Sequence, residues 1–200
     1  NPVLKADGPR HDSTIENLNR LRPIFDRQRG SVTAGNSSQI TDGAVALLVA
    51  SEGACNRHEI DPIGRLIDYA YSGCEPQRMG LGPAYALAKG RTQGAPELSD
   101  IDLIELNEAF AAQVLAVMDA CKSEKFCHEQ LGLEKVLGEM NEQIVNVNGG
   151  AIALGHPVGA TGARLVLTAL KELKLRRQKT ALTTLCVGGG QGGALWLERN

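Results

Sequence analysis

The sequence predicts an α/β fold in which helices pack against a β-sheet. Apolar strand-like runs alternate with helical segments along the 200 residues, and this alternation is typical of α/β domains. Several of the strand-like runs end directly in glycines or in the start of a helix. In α/β sheets that edge is where ligands bind. The length allows one domain of ordinary size, or one and a fraction.

The composition is that of an ordinary globular chain. Apolar residues make up 42% and charged residues 22%, values that argue against global disorder. The formal net charge is -2, and because a nucleic-acid-binding protein would show a basic excess, we expect no nucleic-acid partner. No apolar run is long enough for a membrane-spanning helix.

The first part of the chain is predicted to hold one helix and two strands. Ser13 and Glu16 have the spacing of a capping box, which predicts a short helix over residues 14–21. Residues 44–50 form an unbroken apolar run, typical of a strand that is covered on both faces. Residues 63–70 predict a second strand.

The middle of the chain continues the alternation. Residues 83–89 begin with a proline that suits the first turn of a helix. Residues 101–106 alternate at period two, which predicts a strand, and a helix follows over residues 108–121. Residues 122–142 are rich in Lys and Glu, so we expect a solvated helical excursion there rather than a core element.

The last part of the chain is rich in glycine. Residues 144–147 predict a short strand, residues 162–175 a helix, and residues 180–186 and 194–197 two strands. Ten of the 23 glycines lie between Gly149 and Gly193. Such a local excess indicates loops in which backbone closely approaches backbone or ligand.

The five cysteines do not form a disulfide pattern. Their number is odd and their spacing irregular: Cys55, Cys74, Cys121, Cys127 and Cys186. Reduced thiols in a cytosol-like compartment fit this usage better. Two of these cysteines lie close to His128, but the spacing is not that of a zinc site and no second ligand pair follows, so we expect no metal.

Three polar side chains stand where predicted strands end. Asn107 precedes a helix, His156 lies in a rigid turn between glycine and proline, and Cys186 precedes three glycines. Glycine N–H groups that point to one place can stabilise an oxyanion. A thiol, an imidazole and an amide on neighbouring strand ends together have the composition of a catalytic constellation.

Each of these residues also has a simpler interpretation. Asn107 suits a helix N-cap, His156 a hydrogen-bonded turn, and Cys186 a small buried apolar position. The glycine loops also suit a phosphate group, but they match neither the dinucleotide fingerprint nor the P-loop.

The three stretches together resemble the C-terminal signatures of the thiolase family. They cover residues 107–113, 148–164 and 186–194, and the middle one is long and specific. Residues 21–25, 33–38, 42–44 and 79–83 extend the resemblance over essentially the whole chain. It implies a thiolase-like half, a mixed five-stranded sheet covered by helices. Residues 1–55 would be the tail of the loop domain with the last strand of the N-terminal half, and residues 56–200 the C-terminal domain.

The resemblance also implies an activity. Thiolases cleave 3-ketoacyl-CoA with free CoA, or condense two acyl-CoA molecules in reverse, with CoA as a substrate and no further cofactor. Cys186 matches the cysteine that acts as general acid and base. His156 matches the residue that binds the thioester oxygen, and Asn107 the residue that holds a water in the same oxyanion hole. The Gly188 N–H matches a donor of the second hole.

Four further residues match positions near CoA in the family. Ser38 matches a residue that lines the pantetheine channel, and Arg10 falls where the family has an arginine near the nucleotide. Met79 and Phe110 match apolar residues beside the acyl and pantetheine groups. Core packing is the competing role for the last two.

One family feature has no counterpart among the 200 residues. The nucleophilic cysteine of thiolases lies in a loop rich in Ser and Gly in the N-terminal half, and no cysteine here has that context. We therefore expect the isolated chain to be an inactive part of a thiolase that needs an N-terminal half. Exposed apolar surface would favour self-association into a homo-oligomer.

The charged segment 122–142 is longer than in the short biosynthetic thiolases. It resembles the fatty-acid-degrading branch, including the β-subunits of β-oxidation multienzyme complexes, which makes such a complex a candidate partner. We expect a bacterial cytoplasmic or a mitochondrial location, and no secretion. Two alternatives stay open: a non-catalytic thiolase-like module that binds CoA or lipid, and a decarboxylating ketoacyl synthase.

Overall fold

The computed structural model describes Arg10 and residues 12–200. Within that part the α-helices are α1 (Ile15–Asn19), α2 (Glu52–His58), α3 (Gly82–Gln93), α4 (Ala111–Lys122), α5 (Glu124–Glu129), α6 (Ala151–Leu154) and α7 (Thr161–Arg176). The strands are β1 (Gly64–Gly73), β2 (Leu103–Leu106), β3 (Thr180–Val187) and β4 (Gln191–Arg199). Short 3₁₀ helices span Ala34–Asn36, Pro76–Leu81, Leu98–Asp100 and Glu142–Ile144. None of the helices in this part is long and apolar enough to cross a membrane.

The four strands form one mixed sheet in the order β1-β4-β3-β2. β4 pairs antiparallel with both β1 and β3, whereas β2 and β3 are parallel. The parallel pair places Leu106 opposite Thr184, so both strands finish at the same edge of the sheet. The α/β class predicted from the sequence is therefore confirmed.

Helices pack on both faces of the sheet. Leu103 and Leu197 contact the side of α7 that carries Leu173, in one apolar cluster. Their chain neighbours Ile104 and Trp196 belong to the other cluster, which includes side chains of α3 and α4. Because successive strand residues point to opposite faces, the sheet lies between α7 on one side and α3 with α4 on the other.

The close packing of α3 on the sheet depends on one glycine. A Cβ on Gly90 would overlap the ring of Trp196. That ring is almost fully buried, and its indole N–H donates to the Pro96 carbonyl at 3.1 Å. The absence of a side chain at Gly90 therefore lets the helix backbone approach the largest side chain of the core.

The predicted fifth strand is reduced to a single pair of residues. Residues 144–147 begin in the 3₁₀ helix Glu142–Ile144, and Val145 alone forms a parallel bridge, with Ile104 of β2. The next residue, Asn146, has a φ of 46°, which ends the extended backbone. The segment thus lies beside β2, where the fifth strand would lie, but four strands form the sheet of the described residues rather than the expected five.

The prediction for residues 122–142 is corrected. Between the end of α4 at Lys122 and the 3₁₀ helix that begins at Glu142, the helical part of this segment is α5. The segment's side chains are not all solvated, because Cys127, Leu137 and Met140 are buried in the core cluster. Arg91 of α3 donates to the Val136 carbonyl at 2.5 Å, which holds the segment against that helix. The charged residues form its outer side, while the apolar residues between them cover the core.

Residues 44–50 do not form the predicted strand. The structure assigns them no strand pairing, and Leu48 and Val49 are 81% and 89% exposed. A strand needs a neighbouring strand to bond with, and none of the four strands lies alongside this segment. The first helix also differs: α1 is shorter than predicted, and Thr14 rather than Ser13 caps it by accepting from the Asn17 N–H.

Candidate active site

Asn107 and Cys186 lie at the ends of neighbouring parallel strands. Asn107 directly follows β2, and its N–H donates to the Thr184 carbonyl of β3 at 3.0 Å. Cys186 lies two residues further along β3. The sheet therefore brings the predicted amide and thiol to one edge, where ligands bind in α/β folds.

His156 reaches this edge through the loop that follows α6. Gly155 precedes it with a φ of 93°, and the His156 N–H donates to the Gln39 carbonyl at 3.1 Å. On the other side of Gln39, the Ser38 N–H donates to the Ala109 carbonyl at 2.9 Å. Residues 37–39 thus connect the loop after Asn107 with the His156 loop.

The imidazole of His156 is held by Thr161. Its Nδ1 lies 2.7 Å from the Thr161 hydroxyl oxygen, which also lies 3.1 Å from the Pro157 carbonyl. Burial, and then the charge of Arg164, lower the pKa of His156, so the ring is neutral at pH 7. The Thr161 hydroxyl has a single proton, which goes either to the Pro157 carbonyl or to Nδ1. When it goes to Nδ1, the neutral ring carries its own proton on Nε2, which leaves an N–H for a ligand oxygen.

The side-chain amide of Asn107 has no hydrogen-bond partner among the described residues. Both its oxygen and its nitrogen are buried. Since buried polar groups are nearly always paired, this amide is suited to bind a ligand or a water at the sheet edge. The interpretation of Asn107 as a helix N-cap is wrong, because Phe110 occupies the cap position of α4.

Cys186 is a buried thiol at the end of β3. It is 6% exposed, and burial, with a smaller contribution from nearby Cys74, raises its pKa. Burial also raises the pKa of the Cys121 thiol, to about 12. Cys127 is buried between the ends of α4 and α5, where its thiol contacts the Cys121 carbonyl. A thiol that keeps its proton at pH 7 can act as a proton donor.

Gly188 lies in the turn between β3 and β4 and is exposed. The two glycines after it have φ values of 88° and 87°, in the left-handed region. A Cβ on Gly190 would overlap the Cys74 carbonyl, so the turn packs against the segment that follows β1. The space around Gly188 itself is open, which leaves its backbone accessible beside Cys186.

Three of the four residues predicted to contact CoA lie near the strand ends. Ser38 neighbours Ser37, which bridges to Phe110, and the Phe110 ring packs edge-on against Phe25 with centroids 6.0 Å apart. Met79 belongs to the 3₁₀ helix Pro76–Leu81, which packs on α4. Arg10 is exposed, and its carbonyl accepts from the Ser13 hydroxyl at 3.2 Å. No contact among the described residues joins Arg10 to the strand ends.

Sequence reasoning missed residues that support the site. They contact one another or His156 around the ends of β2 and β3, and they are Glu105, Glu108, Asn146, Thr161 and Arg164. One signal was present: Glu105, a charged residue within a predicted strand, stands two positions before Asn107 and therefore on the same face of that strand. Among the described residues no group of three or more His, Cys, Asp and Glu side chains is placed to hold a metal ion.

Comparisons with known proteins agree with this architecture. The family model of the thiolase C-terminal domain matches residues 60–199, and that of the thiolase N-terminal domain matches residues 2–53. A 3-ketoacyl-CoA thiolase of Pectobacterium carotovorum is 47% identical over 190 residues, which cover 94% of this chain and 44% of the relative. An acetyl-CoA acetyltransferase of Shinella zoogloeoides is 44% identical over 189 residues, again 94% of this chain and 44% of the relative.

Solved structures give the same result. Human mitochondrial 3-ketoacyl-CoA thiolase in complex with CoA superposes with a TM-score of 0.82 at 40% identity, over 97% of this chain and 45% of that one. The Bacillus anthracis acetyl-CoA acetyltransferase superposes with a TM-score of 0.80 at 41% identity, over 96% and 44% of the two chains. The fold is that of the thiolases. This chain belongs to the thiolase family, and it spans less than half the length of these relatives.

Proposed function

We propose that this chain supplies the C-terminal part of the active site of a 3-ketoacyl-CoA thiolase. The complete enzyme would cleave 3-ketoacyl-CoA with CoA into acetyl-CoA and a shortened acyl-CoA, or catalyse the reverse condensation. The arrangement of Asn107 and Cys186 on adjacent strand ends, with His156 tied to the same edge through Gln39, carries the proposal.

Cys186 would act as the general acid and base. In the first half-reaction a cysteine of the N-terminal half attacks the 3-keto carbon as a thiolate, and the bond between C2 and C3 breaks; the same thiolate is released when CoA takes the acyl group. Cys186 gives its proton to C2, and acetyl-CoA leaves. The resulting Cys186 thiolate then takes the proton of the CoA thiol, which attacks the acyl-enzyme. The raised pKa of Cys186 supports this order, because the resting thiol holds the proton that the first step consumes.

Two oxyanion holes would stabilise the charge that develops. His156, through its Nε2–H, and a water held by the Asn107 amide would bind the thioester oxygen whose charge grows as the carbanion forms. The Gly188 N–H would donate to the oxygen of the acyl-enzyme intermediate. Removal of one such donor typically lowers the rate by about 10²–10³-fold.

CoA would lie along the residues near the strand ends. Ser38 and Phe110 are brought together by the bridge between residues 37 and 110, which supports a pantetheine channel at this place. Met79 would contact the acyl group, and exposed Arg10 would bind the nucleotide phosphates. CoA is a substrate in this proposal, and no other cofactor is needed.

The isolated chain would be inactive and would act only with a thiolase N-terminal half. Residues 44–50, of which all but Val45 are exposed, would pair with strands of that half. A homo-oligomer, a β-oxidation multienzyme partner, and a cytoplasmic or mitochondrial location belong to the same proposal.

Complementation tests this function. The 200-residue chain is mixed with a separately produced N-terminal half of a 3-ketoacyl-CoA thiolase, and CoA-dependent cleavage of acetoacetyl-CoA is followed. We expect no activity from either part alone and activity from the mixture, lost in Cys186→Ala. Activity of the chain alone would overturn the account, since one of its own cysteines would then be the nucleophile. CoA binding by a mixture that shows no turnover would favour the non-catalytic module.

A further inference from the structure

The carboxylate of Glu108 joins three separate segments of the chain. Glu108 directly follows Asn107 at the end of β2. The side-chain amide of Asn146 donates to its Oε1 at 2.9 Å, and the backbone N–H of Ile152 donates to its Oε2 at 3.3 Å. Each carboxylate oxygen therefore has its own partner, one beside β2 and one in α6, the short helix that precedes His156.

Asn146 is a fixed donor. Its side-chain amide donates to the Leu106 carbonyl and accepts from the Leu106 N–H, both at 2.8 Å. Its backbone N–H donates to the Ile104 carbonyl at 2.8 Å. The left-handed backbone that this geometry requires is one that Asn tolerates better than most residues. Asn146 cannot leave Glu108 without also releasing the end of β2.

The other side of the carboxylate faces α6. A Cβ on Gly150 would overlap the Glu108 carboxylate, so a glycine at this position allows the close approach. Ile152 lies in α6, and α6 closes with the Gly155 N–H bonded to the Ala151 carbonyl at 2.9 Å. His156 follows at once. One turn of hydrogen-bonded backbone thus links the Glu108 contact to the imidazole.

We propose that Glu108 is a positioning residue that holds the Asn107 amide and the His156 imidazole at a fixed separation. It does so through backbone and side-chain hydrogen bonds on both sides, and it touches no substrate atom itself. The catalytic consequence rests on the proposed function, because it assumes that Asn107 and His156 share one oxyanion hole. The geometric claim concerns the 200-residue chain alone.

The first test is made on the isolated, isotope-labelled chain by NMR. Glu108→Gln keeps the size of the side chain but leaves one acceptor oxygen for two donors. We expect hydrogen exchange at the Ile152 amide to rise about tenfold or more. We also expect the His156 imidazole signal, assigned with His156→Gln, to shift or broaden. Glu124→Gln is the matched control, because it removes a glutamate from the first turn of another short helix, α5.

The second test is made on the mixture with the N-terminal half. Glu108→Gln should lower kcat by about tenfold or more while the KM for CoA stays unchanged, since geometry is lost and no CoA contact is removed. If exchange at Ile152 rises but the His156 signal and kcat do not change, Glu108 only stabilises α6 and the proposal is wrong. An inactive wild-type mixture would overturn the proposed function, while the NMR result would still decide the role of Glu108.

Discussion

The carboxylate of Glu105 lies 3.7 Å from the guanidinium of Arg164, at the junction of β2 and α7. Glu105 is fully buried, and neither of its oxygens has a hydrogen-bond partner among the described residues. Leu103, two residues earlier, packs on α7, so Glu105 and Asn107 face the same helix. Burial raises the pKa of Glu105 to about 7, although Arg164 opposes the shift. Nearby Glu108 and Glu172 add to the rise.

Glu105 should therefore make the stability of the chain depend on pH. A carboxyl whose pKa is raised by folding binds its proton more tightly in the folded chain, so protonation stabilises the fold at low pH. That contribution is lost as the pH rises from about 4.5 to about 7. At about 1.4 kcal/mol per pKa unit it amounts to roughly 3 kcal/mol.

Urea denaturation between pH 4.5 and pH 8 measures this contribution. Glu105→Gln should remove most of the fall in the free energy of unfolding over that interval, because glutamine does not titrate. Glu129→Gln, at an exposed position of α5, should leave the pH dependence as it is in the wild type. An equal slope in the wild type and in Glu105→Gln would show that Glu105 is charged throughout the interval.

Asn146 should contribute to stability through its side chain more than through its backbone conformation. Asn146→Ala leaves the N–H and the carbonyl of Leu106 without their amide partner, and each buried unpaired group costs about 1–3 kcal/mol. We expect a loss of roughly 2–6 kcal/mol in the free energy of unfolding. Asn146→Gly adopts the φ of 46° without strain, yet it should lose nearly as much. Recovery of wild-type stability in the glycine variant would show that backbone strain dominates instead.

Most of the fold could be predicted from the sequence because strands and helices have characteristic spacings of apolar residues. The alternation in residues 101–106 and the apolar run 180–186 gave β2 and β3, and the motif residues Asn107 and Cys186 at their ends gave the site. The strand predicted for residues 44–50 was wrong. An apolar run indicates that a segment packs against some other surface, but it does not identify the strand with which the segment would pair. The buried side of residues 122–142 was not predicted. Its apolar residues are irregularly spaced among the charged ones, so they show no helical or strand period.

The supporting residues of the site were not predictable in the same way. The contact between Asn146 and Leu106 depends on the left-handed φ of Asn146. With that φ, the side-chain amide of Asn146 bonds the Leu106 N–H that a neighbouring strand's backbone would otherwise bond. The bond from Ile152 to Glu108 depends on the loop that returns α6 to the end of β2. Such contacts join residues about 40 positions apart, and no local pattern records them.

The thiols should react with alkylating reagents in an order set by burial. Cys74 is partly exposed, whereas Cys186, Cys121 and Cys127 are buried. Burial raises the pKa of both Cys74 and Cys186, so the rates at these two thiols should increase from pH 7 to pH 9 as thiolate forms. Mass spectrometry after timed iodoacetamide treatment should find Cys74 modified first and Cys121 last or not at all. Modification of Cys186 before Cys74 would indicate a thiolate already stabilised at the site.

Exposed residues 44–50 should promote self-association of the isolated chain. Leu48 and Val49 are 81% and 89% exposed, and Leu47 before them is 38% exposed, so three consecutive apolar side chains face solvent. The double variant Leu48→Ser/Val49→Ser removes this surface without touching the core. The free energy of unfolding should change by less than about 0.5 kcal/mol, as is usual for exposed positions.

Sedimentation velocity at increasing concentration measures the effect. The wild-type chain should sediment as a mixture that shifts to larger species, and the double variant should remain smaller at the same concentration. Leu175→Ser is the control, because Leu175 is 78% exposed at the end of α7. It should associate like the wild type, since a single apolar side chain on a charged helix is normal for a protein surface. A wild-type chain that stays monomeric at all concentrations would contradict the expectation that residues 44–50 promote self-association. A double variant that associates as strongly as the Leu175→Ser control would contradict it as well.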